Sequence, residues 1–145
     1  MTEFRTRKDK TVYPINSTEK KYRKEYQNVR IEIADEFDTR GIEDFATDVE
    51  SEFNDIQYPA KRYIKLIQVA PMLSYDRDTG IYGKAYPPHT IVISMHNKHG
   101  DILTHEEIGQ TLRHEIAHLE WYHSKELQKK YPDEEIYAIK MEDVK

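Results

Sequence analysis

An α+β fold is predicted for this 145-residue chain, with a mixed β-sheet packed on one long helix and a short helix after it. Three observations carry the prediction. Strand-like runs and one amphipathic helical stretch fill most of residues 29–95. Residues 104–122 open on a capping signature and keep helical spacing. A proline followed by three acids then marks the start of a last helix.

Taken in chain order, "FRTRKDKTVYPI" reads as two short strands around a polar turn at Lys8 to Lys10, with Pro14 suited to an edge strand. "STEKKYRKEY", Ser17 to Tyr26, is too charged for a core element and reads as a linker or an exposed turn of helix. "VRIEI", Val29 to Ile33, alternates apolar and polar residues with the period of a half-buried strand. Ile42, Phe45, Val49 and Phe53 then recur at helical spacing, with Asp38 or Thr39 as N-cap.

The β-favouring run Arg62 to Ala70 predicts a strand that ends at Pro71. "SYDRDTG" has turn chemistry, with Gly80 suited to positive φ. Ile81 to Tyr86 and Thr90 to Met95 read as two further strands, parted by Pro87 and Pro88 and followed by the polar loop "HNKHGD". Thr104 and Glu107 have the spacing of a capping box opening a helix to at least Tyr122. In "YPDEEIYAIKMEDV", Pro132 suits the first helical position and the acids suit the first turn.

The length fits one domain, residues 1–145, with a basic N-terminal arm over about residues 1–28. The 37% apolar and 34% charged fractions imply a water-exposed domain with a modest core. Nothing approaches a membrane-spanning run, and "MTEFRTRKDK" lacks the apolar segment of a signal peptide, so the cytoplasm is the expected compartment. The absence of cysteine excludes disulfides and thiolate ligands, leaving His, Asp and Glu for any metal. Residues 1–30 hold nine Lys or Arg against four Asp or Glu, or +5, so the remainder carries −10 of the total −5. A basic arm can touch nucleic acid, but the acidic remainder argues against a nucleic-acid-binding core.

The chemistry is concentrated in "TLRHEIAHLEWYHSKE", Thr111 to Glu126. Residues four apart on a helix differ by about 400°, so His114 and His118 present their rings to nearly the same point. Glu115 lies between them, placed to take a proton from a metal-activated water, which is the mechanical content of H-E-x-x-H. The predicted metal is Zn2+, with His114 and His118 as ligands and Glu115 as general base.

With "TIVISM", a polar loop and "TLRHEIAHLE" in that order, the chain resembles the zincin metallopeptidases, most nearly the small gluzincins of the minigluzincin type, over about residues 79–139. The resemblance implies a zincin-like domain whose active-site helix is followed by a short glutamate helix. It also implies that the strand bordering the cleft pairs with an extended peptide. Latency through a blocking terminal segment would fall to the basic arm or to the tail "KMEDVK".

A catalytic zinc needs a third protein ligand. In gluzincins this is a glutamate on the next helix, commonly with a small residue three positions later, a relation that Glu135 and Ala138 satisfy; Glu134 is the neighbouring alternative. Relatives often place Asp or Asn four residues after the ligand, whereas this chain has Ile139. The rival ligand is His123, by analogy with metzincins and SprT-like zinc peptidases. Its offset of five on an unbroken helix turns it some 140° away from His118. For the oxyanion, Tyr131, Tyr122, Tyr137 and His123 are candidates, while His96 and His99 read as solvated loop residues.

The expected function is zinc-dependent hydrolysis of a peptide or protein substrate, including the case of a factor dedicated to one partner. The alternative is a non-catalytic zinc-binding module of the same fold, contacting nucleic acid or protein through its basic arm.

Overall fold

The computed structural model describes residues 20–26, 29–34, 42–57, 59–70, 83–97 and 101–144. Strands β1 (Lys20–Tyr26), β2 (Val29–Ala34), β3 (Leu66–Ala70), β4 (Gly83–Tyr86) and β5 (Thr90–Ser94) form one mixed sheet in the order β1-β2-β3-β5-β4. The helices are α1 (Ile42–Asp55), α2 (His105–His123), α3 (Lys125–Lys130) and α4 (Glu134–Met141). The α+β expectation therefore holds. Among the described residues, no helix is long and apolar enough to cross a membrane.

The alternation in "VRIEI" sets the core. β2 and β3 are parallel, as are β3 and β5, and their register places Ile31, Ile67 and Ile91 in one row. All three side chains are buried, as are Val69 and Ile93 in the next row. Phe45, Val49 and Phe53 of α1 close over this face together with Ile108, Leu112, Ile116 and Leu119 of α2. The neighbouring row, Glu32, Gln68 and Val92, points to the other face of the pleat and is buried as well. There Gln68 Nε2 donates to Glu32 Oε1 at 3.3 Å, so the half-buried reading of β2 understates its enclosure.

Several boundaries depart from expectation. The charged segment Lys20–Tyr26 is neither linker nor helix but a strand, paired antiparallel with β2 from Tyr26 opposite Val29 outward. Pairing with a neighbour, not local hydrophobicity, decides it. The run from Arg62 yields a strand only from Leu66, because Pro59–Tyr63 winds into a 3₁₀ turn. Pro132 lies outside α4, whose N-cap is Asp133, accepting from the backbone of Glu135 and Ile136. Helix α3 was not anticipated; Ser124 ends α2 and caps α3 by accepting from Leu127 N. The hairpin around Lys8 to Lys10, the caps Asp38 and Thr39, and the turn at Gly80 fall outside the described residues.

Helix α2 begins as predicted, with the reciprocal Thr104 and Glu107 capping box in place. Its middle, from Ile108 to Leu119, is largely buried because sheet and α1 cover one flank and α4 the other. His105, its first residue, ties it to α1: Nδ1 lies 2.9 Å from Glu52 and Nε2 3.1 Å from Asp48. The hydrogen bond to Glu52, then the charge of Asp48, raise its pKa above 6.5. A raised pKa gives stabilisation that is complete below about 6.5 and is lost as pH climbs through the elevated value. The melting-temperature gap between the protein and its His105→Gln variant is therefore expected to be widest below about pH 6.5 and to shrink as pH rises above it. A gap independent of pH would show that the ion pairs do not contribute.

Candidate metal centre

His114 and His118 occupy successive turns of α2, and their ring centroids are 5.0 Å apart. Glu135, in the first turn of α4, faces both: Oε1 is 2.9 Å from His114 Nε2 and Oε2 is 3.2 Å from His118 Nε2. One ligand atom from each of the three lies within 4.8 Å of the others. Two small buried residues on facing helices, Ala117 and Ala138, share a cluster with Tyr137 and let α2 and α4 approach. Behind the rings, His114 Nδ1 contacts Glu142 Oε2 at 2.9 Å and His118 Nδ1 contacts Glu134 Oε1 at 2.7 Å.

The donor set suits a divalent cation. Two imidazoles and a carboxylate form a His₂Glu set that matches the preferences of zinc. His114 Nε2 is buried without a hydrogen bond: Glu135 Oε1 is close to it but poorly aligned. A buried imidazole nitrogen in that state is costly, and once its proton leaves, a cation would take up the lone pair.

Electrostatics bind the cluster together. Burial pulls the pKa of His118 down, but the hydrogen bond to Glu135, the charge of Glu115 and the contact with Glu134 outweigh it and raise it to about 9. His114 is likewise lowered by burial and raised on balance by Glu135, Glu115 and Glu142. The imidazoles of His114, then His118, set against it hold the Glu135 carboxyl far below the usual carboxylate range.

Beside the triad lies a cleft of about 370 Å³. Gly83, Lys84 and Ala85 of β4 form one wall, His118 with Glu134 and Glu135 the other, and Glu115 also lines it. Glu115 is buried, at 2% exposure. The backbone of Gly83 presses against it so closely that a Cβ there would sit 2.9 Å from Glu115 Cγ and 2.8 Å from Thr111 Cγ2.

His123 stands apart from the cluster. It hydrogen-bonds through Nε2 with the Pro88 carbonyl at 2.7 Å and stacks on Tyr63 with centroids 4.4 Å apart. That arrangement fastens the β4–β5 turn to the end of α2, as its angular offset from His118 foretold. Glu134 is near the site but on the far nitrogen of His118. Ile139, four residues after Glu135, is exposed. Glu142 meets His114 instead, a contact that sequence reasoning missed although a spacing of seven from Glu135 places the two on one helical face. None of the oxyanion candidates lines the cleft: Tyr137 donates to Glu120, Tyr131 pairs with Lys140, and Tyr122 packs edge-on against His123. His96 forms an isolated bridge with Ile102, and His99 is outside the described residues.

No family model, curated protein or solved structure matches the chain.

Two outcomes follow from this geometry. Glu135→Ala should weaken zinc binding by more than the roughly 10- to 100-fold that loss of an outer partner costs, while His123→Ala should leave it near the wild-type value. Competition with a chelating indicator measures both, and equal losses would undo the assignment. Gly83→Ala is expected to destabilise the fold by about 1–3 kcal/mol in denaturant melts, through overpacking against Thr111 and Glu115.

Proposed function

We propose that the protein is a zinc-dependent metallopeptidase of the gluzincin kind. The observation that carries this reading is the convergence of His114, His118 and Glu135, including a buried Nε2 without a hydrogen bond, beside a cleft lined by Glu115.

His114 and His118 through Nε2 and Glu135 through a carboxylate oxygen would hold the cation. When bound, zinc supplies Lewis acidity that brings the pKa of a water to about 7 and polarises a carbonyl. The chain's own residues perform the remaining work. Glu115 takes the proton that water gives up as its oxygen bonds to the scissile carbonyl carbon, and passes it to the amine nitrogen as the C–N bond breaks. Burial of Glu115 under Gly83 limits the rotamers open to it, which keeps the carboxylate directed at the cleft.

Strand β4 supports a peptide substrate. It is the last strand of the sheet on its side among the described residues, and it lines the cleft. An extended chain can add to such an edge through backbone hydrogen bonds, which bring its peptide groups past Glu115.

The deciding experiment compares wild type with Glu115→Gln on an unfolded protein such as casein. Wild type should cleave in the presence of zinc and stop on chelation; Glu115→Gln should keep its zinc and lose about 10²–10⁴-fold in rate. Zinc bound at full occupancy without cleavage of casein or a broad peptide library would favour the non-catalytic module.

A further inference from the structure

We propose that the turn after α4 is part of the metal centre: Glu142 is a positioning residue that holds His114 by Nδ1 and leaves Nε2 for the cation. The proposal rests on the zinc-site reading above. A carboxylate only accepts, so Glu142 Oε2 at 2.9 Å requires the hydrogen of His114 on Nδ1. In a neutral ring this fixes the tautomer whose lone pair is on Nε2, the nitrogen that faces Glu135.

The turn is built for this task. Glu142 keeps helical angles, φ −65° and ψ −21°, so the face that carries Glu135 continues through Ala138 to Glu142. Its side chain is 15% exposed, against 41% for Glu134 behind the other imidazole. On α2, three residues of one face grip it. Arg113 Nε donates to its carbonyl, Gln110 Nε2 reaches Glu142 Oε1 and Asp143 Oδ1, and His114 takes the carboxylate. Val144 N closes the turn on Met141 O. The contact is on the ring nitrogen opposite Glu135, and Glu142 does not line the cleft. The tail "KMEDVK" thus contains a residue that contacts His114 from the side away from the cleft.

The test uses the full chain with Glu142→Ala and Glu142→Gln. Zinc affinity is measured by chelator competition, geometry by the visible spectrum of the cobalt-loaded protein, and fold by unfolding of the chelator-treated protein. Glu142→Ala should bind zinc roughly 10- to 100-fold more weakly and alter the cobalt spectrum. Glu142→Gln, whose amide oxygen still accepts from Nδ1–H, should recover part of both. Wild-type affinity with an unchanged cobalt spectrum in Glu142→Ala overturns the proposal. So does equal weakening in the two variants that tracks lost stability alone. Should Glu142→Ala fail to fold, Glu142→Leu, which keeps bulk but accepts nothing from Nδ1–H, decides: weaker zinc at an unchanged unfolding midpoint supports the role, and wild-type affinity refutes it. A wild type that takes up neither metal refutes the zinc site and this inference together; one that binds zinc but cleaves nothing refutes only the peptidase.

Discussion

Burial of His114 is the constraint to which the rest of the site answers. Its side chain is 1% exposed, so water cannot serve either ring nitrogen. An imidazole in that position needs a partner on each side. The residues of α2 sharing its face are Gln110, Thr111, Ala117 and His118. The carboxylates come from α4 and its last turn: Glu142 accepts from Nδ1, while Glu135 stands 2.9 Å from Nε2 without hydrogen-bond alignment. The connection through α3 returns the chain along α2, with Glu134 meeting His118 and Glu142 meeting His114. Ala117 and Ala138 keep the helices close enough for these contacts.

The second wall has a different origin. β4 reaches α2 only because residue 83 has no side chain; a Cβ there would intrude on Thr111 and Glu115. The sheet edge and the floor of the cleft are therefore in direct contact, with Glu115 held between strand and helix. His123 fastens the following turn from the end of the same helix. One helix thus carries the two imidazoles, the buried glutamate and the latch for the opposing strand. The burial of its middle, from Ile108 to Leu119, follows from those simultaneous engagements.

Legibility in the sequence tracked the range of the interaction responsible. The capping box at Thr104, the alternation of β2, the apolar spacing of α1 and the pairing of His114 with His118 are local, and each was readable. The nearness of Glu135 was also readable, because resemblance supplied a next-helix glutamate followed by a small residue, and Ala138 fits against α2. Lys20–Tyr26 was misread because its charged composition says nothing of the backbone pairing that makes it a strand. Tyr63 belongs to a β-favouring run but is wound into a turn where it stacks on His123, a partner 60 positions away. Glu142 escaped because the expected buttress position holds Ile139, and the substitute lies where the helix is already ending. The signal was its spacing from Glu135, which acquires meaning only once α4 is known to face His114.

The arrangement of charge ties α2 to α4 through the same side chains that would hold a cation. Without one, the imidazoles bear protons between carboxylates. The contribution of His118 is complete below 6.5 and fades as pH rises through about 9, while that of the depressed Glu135 is complete above 4.5 and fades on acidification. Across the interval between, His–Glu ion pairs hold α2 against α4. A cation would replace the protons on Nε2 and release them, as metal binding to imidazole must. The hydrogens on Nδ1 would remain, because Glu134 and Glu142 accept them in either state. The carboxylates that stabilise the charged rings are thus the ones that orient the neutral rings.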